Sequence, residues 1–396
     1  MKRVLFLMSD TGGGHRAAAE AIRDALIIKY GEDNVSAKLV DVFRASMFPM
    51  NYMPEFYPWL INHSKRSWGL GYKLSNTKRR AAALAQSMYM TNGRRFKKLF
   101  KANPVDVVVS VHSVITRPTL RALSSFESRP PYLTVVTDLV TTHHFWYDKR
   151  TERCFVPTQA AFDMGLEAGM RPSQMRITGL PVDPRFMQRL VAKEEARKEL
   201  GWEQGKPTIL MVAGGDGMGP LYETARAIDA LGLPCQMAIV AGRNKHLKEK
   251  LENATWQQPT HVYPFIRNMP TLMAGADILV TKAGPATVTE AAIAGLPMIL
   301  SDAIPGQEDG NVTYVVENNA GAYAPKPELV AKTVAEWLNE GVEGLQKRSE
   351  NARRIVNTEA VWEIADEVWA WAHKGRITAP KRRLGRFRRK RSHLPS

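Results

Sequence analysis

The stretch from Thr281 to Asn311, TKAGPATVTEAAIAGLPMILSDAIPGQEDGN, constrains the fold of this chain more than any other. An apolar run over Asp277–Val280 ends at Lys282-Ala283-Gly284-Pro285. A helical pattern carrying Glu290 follows, and a second apolar run covers Met298–Leu300. That order predicts strand, tight turn, helix and strand, a repeating unit of parallel α/β sheets. The start of such a helix has unpaired backbone N–H groups at the positive end of its dipole, so Gly284, Pro285, Ala286 and Thr287 form a candidate diphosphate cradle. Glu290, six residues past Gly284, is expected near the start of the helix, where it would accept from ribose hydroxyls.

The same grammar recurs upstream. Val4–Met8 reads as a buried strand, Gly12-Gly13-Gly14 as a turn, and the residues after His15 as a helix with apolar positions three and four apart. Val35–Val42, Val105–Val111, Tyr132–Val136 and Arg153–Val156 are further strand candidates. Gly179-Leu180-Pro181-Val182-Asp183-Pro184 is rich in turn formers and reads as a hinge. Beyond it, Thr208–Ala213 leads into Gly214-Gly215-Asp216-Gly217-Met218-Gly219, a helix is expected from Leu221, and Met237–Ala241 and His261–Phe265 follow as strands. Two doubly wound α/β domains facing each other are therefore expected, with ligands at the carboxyl ends of the strands.

With 396 residues, 44% hydrophobic and 24% charged, the chain is long enough for two full cores. No stretch approaches the roughly 18 apolar residues of a membrane helix. Val4–Met8 is too short for the core of a secretion signal, so a cytoplasmic protein is expected. Cys154 and Cys235 are the sole cysteines and suggest neither a disulfide framework nor a cysteine metal site. Net charge is +16. Residues 56–105 hold eleven Lys or Arg, residues 374–396 hold ten, and neither segment has an acid. Without them the chain is net negative. Such blocks suit an anionic membrane surface or a nucleic acid. The first block interleaves its charges with Trp59, Trp68, Leu70, Tyr72, Leu74, Leu84, Met88, Met90, Phe96, Leu99 and Phe100, a mixture that favours the lipid interface. The KRRLGRFRRKR run of the second is expected to be disordered in water.

Several residues carry candidate chemistry. His15 sits at a strand-to-helix turn, and an ordinary imidazole pKa near 6.5 suits accepting a proton from an attacking hydroxyl. Asp10 either orients that imidazole or belongs to the turn. Asp138, at a strand end, would bring a carboxylate to the cleft. Gly12-Gly13-Gly14 lacks the Lys-Ser/Thr ending of a P-loop and fits no G-x-G-x-x-G, which argues against a nucleoside triphosphatase. Gly214, Gly215 and Asp216 would stabilise a leaving diphosphate, charge that grows as a bond breaks. Lys282 either adds a cation there or is solvated. Phe265 and Ile266 either flank a base or belong to the core. His143 and His144 have no third ligand spaced to complete a metal site, and the pair reads as a loop facing water.

Taken together, MSDTGGGHRAAAEAI, TGLPVDPRF, GGDGMGP, AGRNKHLKEKL and KAGPATVTEAAIAGLPMILSDAIPGQEDGNVTYVVEN resemble monogalactosyldiacylglycerol synthases and bacterial diacylglycerol glucosyltransferases. More distantly they resemble the enzyme that makes lipid II. The resemblance implies a GT-B fold, two Rossmann-like domains facing a central cleft, and an inverting mechanism with no cofactor and no metal. It implies a UDP-hexose donor, with galactose favoured and glucose or N-acetylglucosamine as alternatives, and a diacylglycerol acceptor. By the same resemblance, His15 is the general base or orients the acceptor, and Gln307 and Glu308 read the sugar hydroxyls. The expected division is an acceptor and membrane-binding domain over 1–178, a hinge over 179–185, a UDP-sugar-binding domain over 186–358, a helix over 359–373 and a basic disordered tail over 374–396. Residues 56–105 and 374–396 would hold the enzyme peripherally on the inner face of the cell membrane. A nucleic-acid-binding protein with a degenerate transferase fold is the weaker reading from a different class.

Overall fold

The computed structural model describes residues 1–11, 13–212 and 219–378. Strands β1 (Lys2–Met8), β2 (Val35–Asp41) and β3 (Val107–Ser110) begin the N-terminal sheet. The two-residue β4 (Ser128–Arg129) lies outside it, and β5 (Tyr132–Val135), β6 (Arg153–Val156) and β7 (Met175–Ile177) complete it. All six pair in parallel, in the order β2-β1-β3-β5-β6-β7. β3 and β5 are buried along their whole length, as strands covered by helices on both faces must be.

The second sheet consists of β8 (Thr208–Val212), β9 (Gln236–Val240), β10 (Thr260–Tyr263), β11 (Ile278–Lys282), β12 (Met298–Asp302) and β13 (Gly321–Tyr323). Its order is β10-β9-β8-β11-β12-β13, again parallel. β1 in the first sheet and β8 in the second lie where the strand order reverses. There the loops on either side diverge and leave a crevice outside the carboxyl ends. The short β7 and β13 were not anticipated, because three residues are too few for a period to register.

The N-terminal helices are α1 (Gly13–Tyr30), α2 (Met53–His63), α3 (Lys65–Ser75), α4 (Lys78–Ala102), α5 (Ser113–Leu123) and α6 (Gln159–Ala168). The C-terminal ones are α7 (Lys193–Leu200), α8 (Leu221–Asp229), α9 (Lys245–Glu252), α10 (Met269–Gly275), α11 (Pro285–Ala294), α12 (Asp309–Glu317), α13 (Pro327–Asn339), α14 (Gly341–Arg354) and α15 (Ala360–His373). α11 begins with Pro285, whose fixed φ suits a first helical position. It ends at Gly295, where a φ of +68° closes the helix in the left-handed conformation.

α15 occupies the stretch expected to be a helix of its own, and the N-terminal domain is what it packs on. It follows the C-terminal domain in sequence, yet its Val361, Ile364, Ala365 and Val368 join the core of the N-terminal sheet with Val4, Phe6, Ile22 and Leu26. Trp369 stacks on Tyr30 of α1 with ring centroids 4.3 Å apart. Asp366 accepts from Lys29 at 2.8 Å and from the Tyr30 hydroxyl at 2.6 Å. The chain therefore crosses between the domains twice, at 179–185 and again after α14.

The tail is likewise not irregular from residue 374. Ile377–Thr378 forms β14, antiparallel to β4, and Arg376 donates to the Ser128 carbonyl at 2.7 Å. Residues 379–396, with the KRRLGRFRRKR run, lie outside the described residues.

The basic segment folds as α2, α3 and α4, and it is not uniformly an interface. α4 buries Phe96 and Phe100 in a core with Leu5, Val108 and Ile115, and α3 buries Tyr72. Phe56, Trp59, Leu70, Leu74, Leu84 and Met90 stay exposed beside the basic residues. No described helix is long and apolar enough to cross a membrane.

Candidate active site

The N-terminal half of the site is built from the loops after β1, β3 and β5, which the strand order sets side by side. His15, in the first turn of α1, has its Nδ1 2.9 Å from the Val111 carbonyl oxygen just past β3. It is also 2.9 Å from the Thr137 hydroxyl just past β5. A carbonyl only accepts, so Nδ1 carries the proton and the lone pair is left on Nε2. Burial pulls the His15 pKa from 6.5 down to about 4, against the opposing pull of the Val111 bond, so the ring is neutral at pH 7. This is the tautomer a general base requires.

Asp10 does not orient the ring. Its carboxylate pairs with Arg16, at 2.6 Å to Nε and 2.8 Å to Nη2. That bond holds the Asp10 pKa below the usual range. A guanidinium six residues along the same turn offers a planar two-point match that a distant imidazole does not. The Val111 carbonyl and the Thr137 hydroxyl orient the imidazole instead, and His112 packs beside it. Its ring centroid is 4.2 Å from that of His15, and its Nε2 is 2.8 Å from the Thr11 hydroxyl. Burial holds it well below an ordinary histidine, with the proximity of His15 acting in the same direction, so two neutral imidazoles lie together.

Asp138 is buried and accepts from the Trp146 indole at 2.6 Å. Burial raises its pKa to about 6, and the bonds from Trp146 and Gln307 oppose the rise. The Trp146 ring lies 6.2 Å from His15, so Asp138 sits next to the imidazole through an aromatic wall, not by a direct bond. His143 and His144 are buried and do not face water. Nε2 of His143 meets the Ser75 hydroxyl at 3.1 Å, and Asn76 Oδ1 accepts from the backbone N and Nδ1 of His144, each at 2.9 Å. They pin the end of α3.

The C-terminal half comes from the loops after β11 and β12. Gly284 caps α11 without a side-chain bond, so the N–H groups of Ala286 and Thr287 in its first turn stand at the positive end of the dipole. Glu290 is the sixth of the ten residues of α11 and does not lie at its start. Burial lifts its pKa to about 7, with Asp183 of the linker adding repulsion. Lys282 is not simply solvated: its Nζ is 2.9 Å from Glu308 Oε1. Glu308 is almost wholly buried, and its other oxygen accepts from the Ile304 N–H at 2.9 Å. Both Glu308 oxygens therefore have internal partners that brace the loop after β12. Gln307 lies next in the same loop, its Nε2 within 3.5 Å of Asp138 Oδ1. Phe265 is exposed with the Arg243 guanidinium 4.3 Å over its ring, and Ile266 packs on the C-terminal core. Gly214, Gly215 and Asp216 lie outside the described residues. A cavity of about 200 Å³ lies at the linker, lined by Val182, Asp183, Ile293, Asn357 and Trp362, and it includes neither His15 nor Gln307.

Residues 15–182 match the family model for monogalactosyldiacylglycerol synthase, and residues 208–368 match that for the glycosyltransferase family 28 C-terminal domain. Over 382 residues the chain is 39% identical to a probable chloroplastic monogalactosyldiacylglycerol synthase of Glycine max, covering 93% of this chain and 71% of that protein. The chain belongs to the monogalactosyldiacylglycerol synthase family. A chloroplastic member of the family from Spinacia oleracea is 39% identical, with 93% and 72% covered. Synthase 2 of Arabidopsis thaliana is 36% identical, with 93% and 80% covered. Among solved structures, MurG of Acinetobacter baumannii superposes with a TM-score of 0.62 at 14% identity, covering 93% of this family member and 100% of that chain. The UDP complex of Staphylococcus aureus MnaA gives 0.58 at 13% identity, covering 94% and 97%. Two parallel-sheet Rossmann-like domains across a cleft, as in these neighbours, make the fold GT-B.

The sequence reading missed His112, Thr137, Trp146 and Tyr57 as site residues. Position just past β3 or β5 was the available signal for His112 and Thr137, whereas Trp146 lies in a short turn eleven residues after β5 and carried none. None was available for Tyr57 of α2, whose hydroxyl donates to Gln307 Oε1 at 3.3 Å.

Proposed function

We propose that this protein transfers galactose from UDP-galactose to 1,2-diacylglycerol, making monogalactosyldiacylglycerol at a membrane surface. Nε2 of His15 takes the proton of the acceptor hydroxyl as its oxygen attacks the anomeric carbon of galactose. The bond from that carbon to the diphosphate oxygen breaks on the opposite face, the electron pair leaves with UDP, and the configuration inverts. Negative charge gathers on the diphosphate. The α11 start at Gly284–Thr287 supplies positive potential, with N–H donors at Ala286 and Thr287; Gly214, Gly215 and Asp216 are the further residues assigned to the leaving diphosphate, and no metal ion is required. Glu290 accepts from the ribose, Phe265 and Ile266 flank the uracil, and Gln307 meets the sugar. Lys282 and Glu308 hold that loop in shape.

Family membership over both domains supports the substrates, and the observation that carries the chemistry is the 2.9 Å contact of His15 Nδ1 with the Val111 carbonyl oxygen, which assigns the proton to Nδ1. The exposed aromatic and leucine side chains among the basic residues of α2–α4 support peripheral binding to anionic lipid on the cytoplasmic face. The test is incorporation of label into lipid from UDP-galactose, UDP-glucose and UDP-N-acetylglucosamine, each offered with diacylglycerol vesicles. Galactose incorporation at least about tenfold above the others is expected, a discrimination that one well-made hydroxyl contact can supply. Equal or preferred use of glucose would overturn the donor assignment.

A further inference from the structure

The basic helices touch the donor side of the cleft. The Tyr57 hydroxyl of α2 donates to Gln307 Oε1 at 3.3 Å, across 250 residues of sequence. Lys65, the first residue of α3, pairs with Asp302 at the end of β12. Gly69 of α3 lies so near the loop that a Cβ there would stand 2.8 Å from the Cβ of Pro305. In return, a Cβ on Gly306, whose φ is +82°, would stand 3.1 Å from the Tyr72 ring. The Tyr72 hydroxyl in turn donates to the Thr141 carbonyl at 3.2 Å, and the Thr141 hydroxyl accepts from the Gly310 N–H at 3.0 Å. The loop from Asp302 to Gly310 is thus held on one side by Lys282 and Glu308 of its own domain and on the other by the N-terminal domain.

Gln307 is the residue this clamp orients. Its amide oxygen accepts from Tyr57, and one hydrogen of its Nε2 is directed to Asp138 Oδ1. The second amide hydrogen is then available to a ligand oxygen. Burial raises the Tyr57 pKa above its ordinary value, with the Glu308 and Asp138 carboxylates adding to the rise, so the phenol keeps its proton, and because an amide oxygen only accepts, the Tyr57 hydroxyl is the donor in this pair. The Trp68 ring stands edge-on to Tyr57 at 5.1 Å and fixes its direction.

We propose that α2 and α3 form the second wall of the hexose subsite and that Tyr57 is a positioning residue for donor-sugar recognition, setting which face of the Gln307 amide meets the sugar. The proposal rests on the reading of Gln307 as a sugar contact. It makes the lipid-facing arm of the acceptor domain part of the donor site.

Calorimetric titration of the full chain with UDP-galactose and with UDP tests it. Tyr57→Phe removes one hydroxyl and keeps the ring, so the UDP-galactose Kd is expected to rise about tenfold while the UDP Kd stays within about twofold. In a Gln307→Ala background the same substitution is expected to change neither constant. Unchanged UDP-galactose affinity in Tyr57→Phe would overturn the proposal. So would an equal loss for both ligands, or a loss undiminished in the Gln307→Ala background, because either is what a merely structural tyrosine produces. Lys65→Ala, outside the amide contact, gives a second reading: the clamp requires a smaller loss confined to UDP-galactose, and no loss counts against it. If the unaltered protein binds neither ligand, the donor assignment itself fails and not the role of Tyr57.

Discussion

His15 and Val111 are joined by one hydrogen bond of 2.9 Å across 96 residues, and that bond determines which nitrogen of the imidazole can act as a base. A ring turned over, or a proton on the other nitrogen, would present no lone pair to an alcohol. Replacing His15 by Ala is expected to lower turnover by about 10²–10⁴-fold, the usual contribution of a positioned base. UDP affinity should remain within about twofold, since the ring lies on the acceptor side. Steady-state rates beside calorimetric UDP binding check both halves.

The same environment makes an unusual titration. Burial holds His15 neutral down to about pH 4, so its ring should show a single unprotonated nitrogen between pH 7 and pH 5, where an exposed histidine becomes largely cationic. Nitrogen NMR of histidine-labelled protein follows the ring directly. A transition near 6.5 would show that the site is open to water.

Glu290 should govern part of the stability profile. Its folded pKa near 7 exceeds the unfolded carboxyl value of 4.5, so it binds a proton more tightly in the native state. That contribution is fully present below about pH 4.5 and is lost as pH rises through 7. Glu290→Gln should flatten the loss, and above pH 7 it should be the more stable protein by on the order of 1–3 kcal/mol. Denaturant titrations at pH 5 and pH 8 measure the difference.

Lys282 and Glu308 should be strongly coupled. Removing the ammonium leaves a nearly buried carboxylate with one N–H partner, so Lys282→Met is expected to destabilise by about 2–4 kcal/mol. Lys282→Met with Glu308→Gln should recover about half or more of that, because no uncompensated charge remains. A double-mutant cycle on urea midpoints reads the coupling, and additive losses would mean the pair is incidental.

Sedimentation with phosphatidylglycerol vesicles should report the basic surfaces. Truncation after Thr378 removes eight Lys or Arg, and each is worth about 1 kcal/mol near an anionic leaflet. Binding should fall with truncation and with salt, and Trp59→Ala should weaken what remains. Equal pelleting with neutral vesicles would refute the electrostatic share.

Much of the architecture was legible in the chain itself. Alternating apolar runs and glycine turns marked ten of the twelve strands of the two large sheets. They also marked the loops at the carboxyl ends, because the period of buried residues is a local property that every strand and helix carries along its own length. The motif from Thr281 to Asn311 marked the strand, turn, helix and strand of β11, α11 and β12 for the same reason. Tertiary structure alone decided the partners. It gave Asp10 to Arg16 and the His15 proton to Val111, moved α15 into the N-terminal core, and brought Tyr57 to Gln307. Each of these is a hydrogen bond or packing contact whose two sides are chosen by where distant backbone segments come to rest, and no local period encodes that.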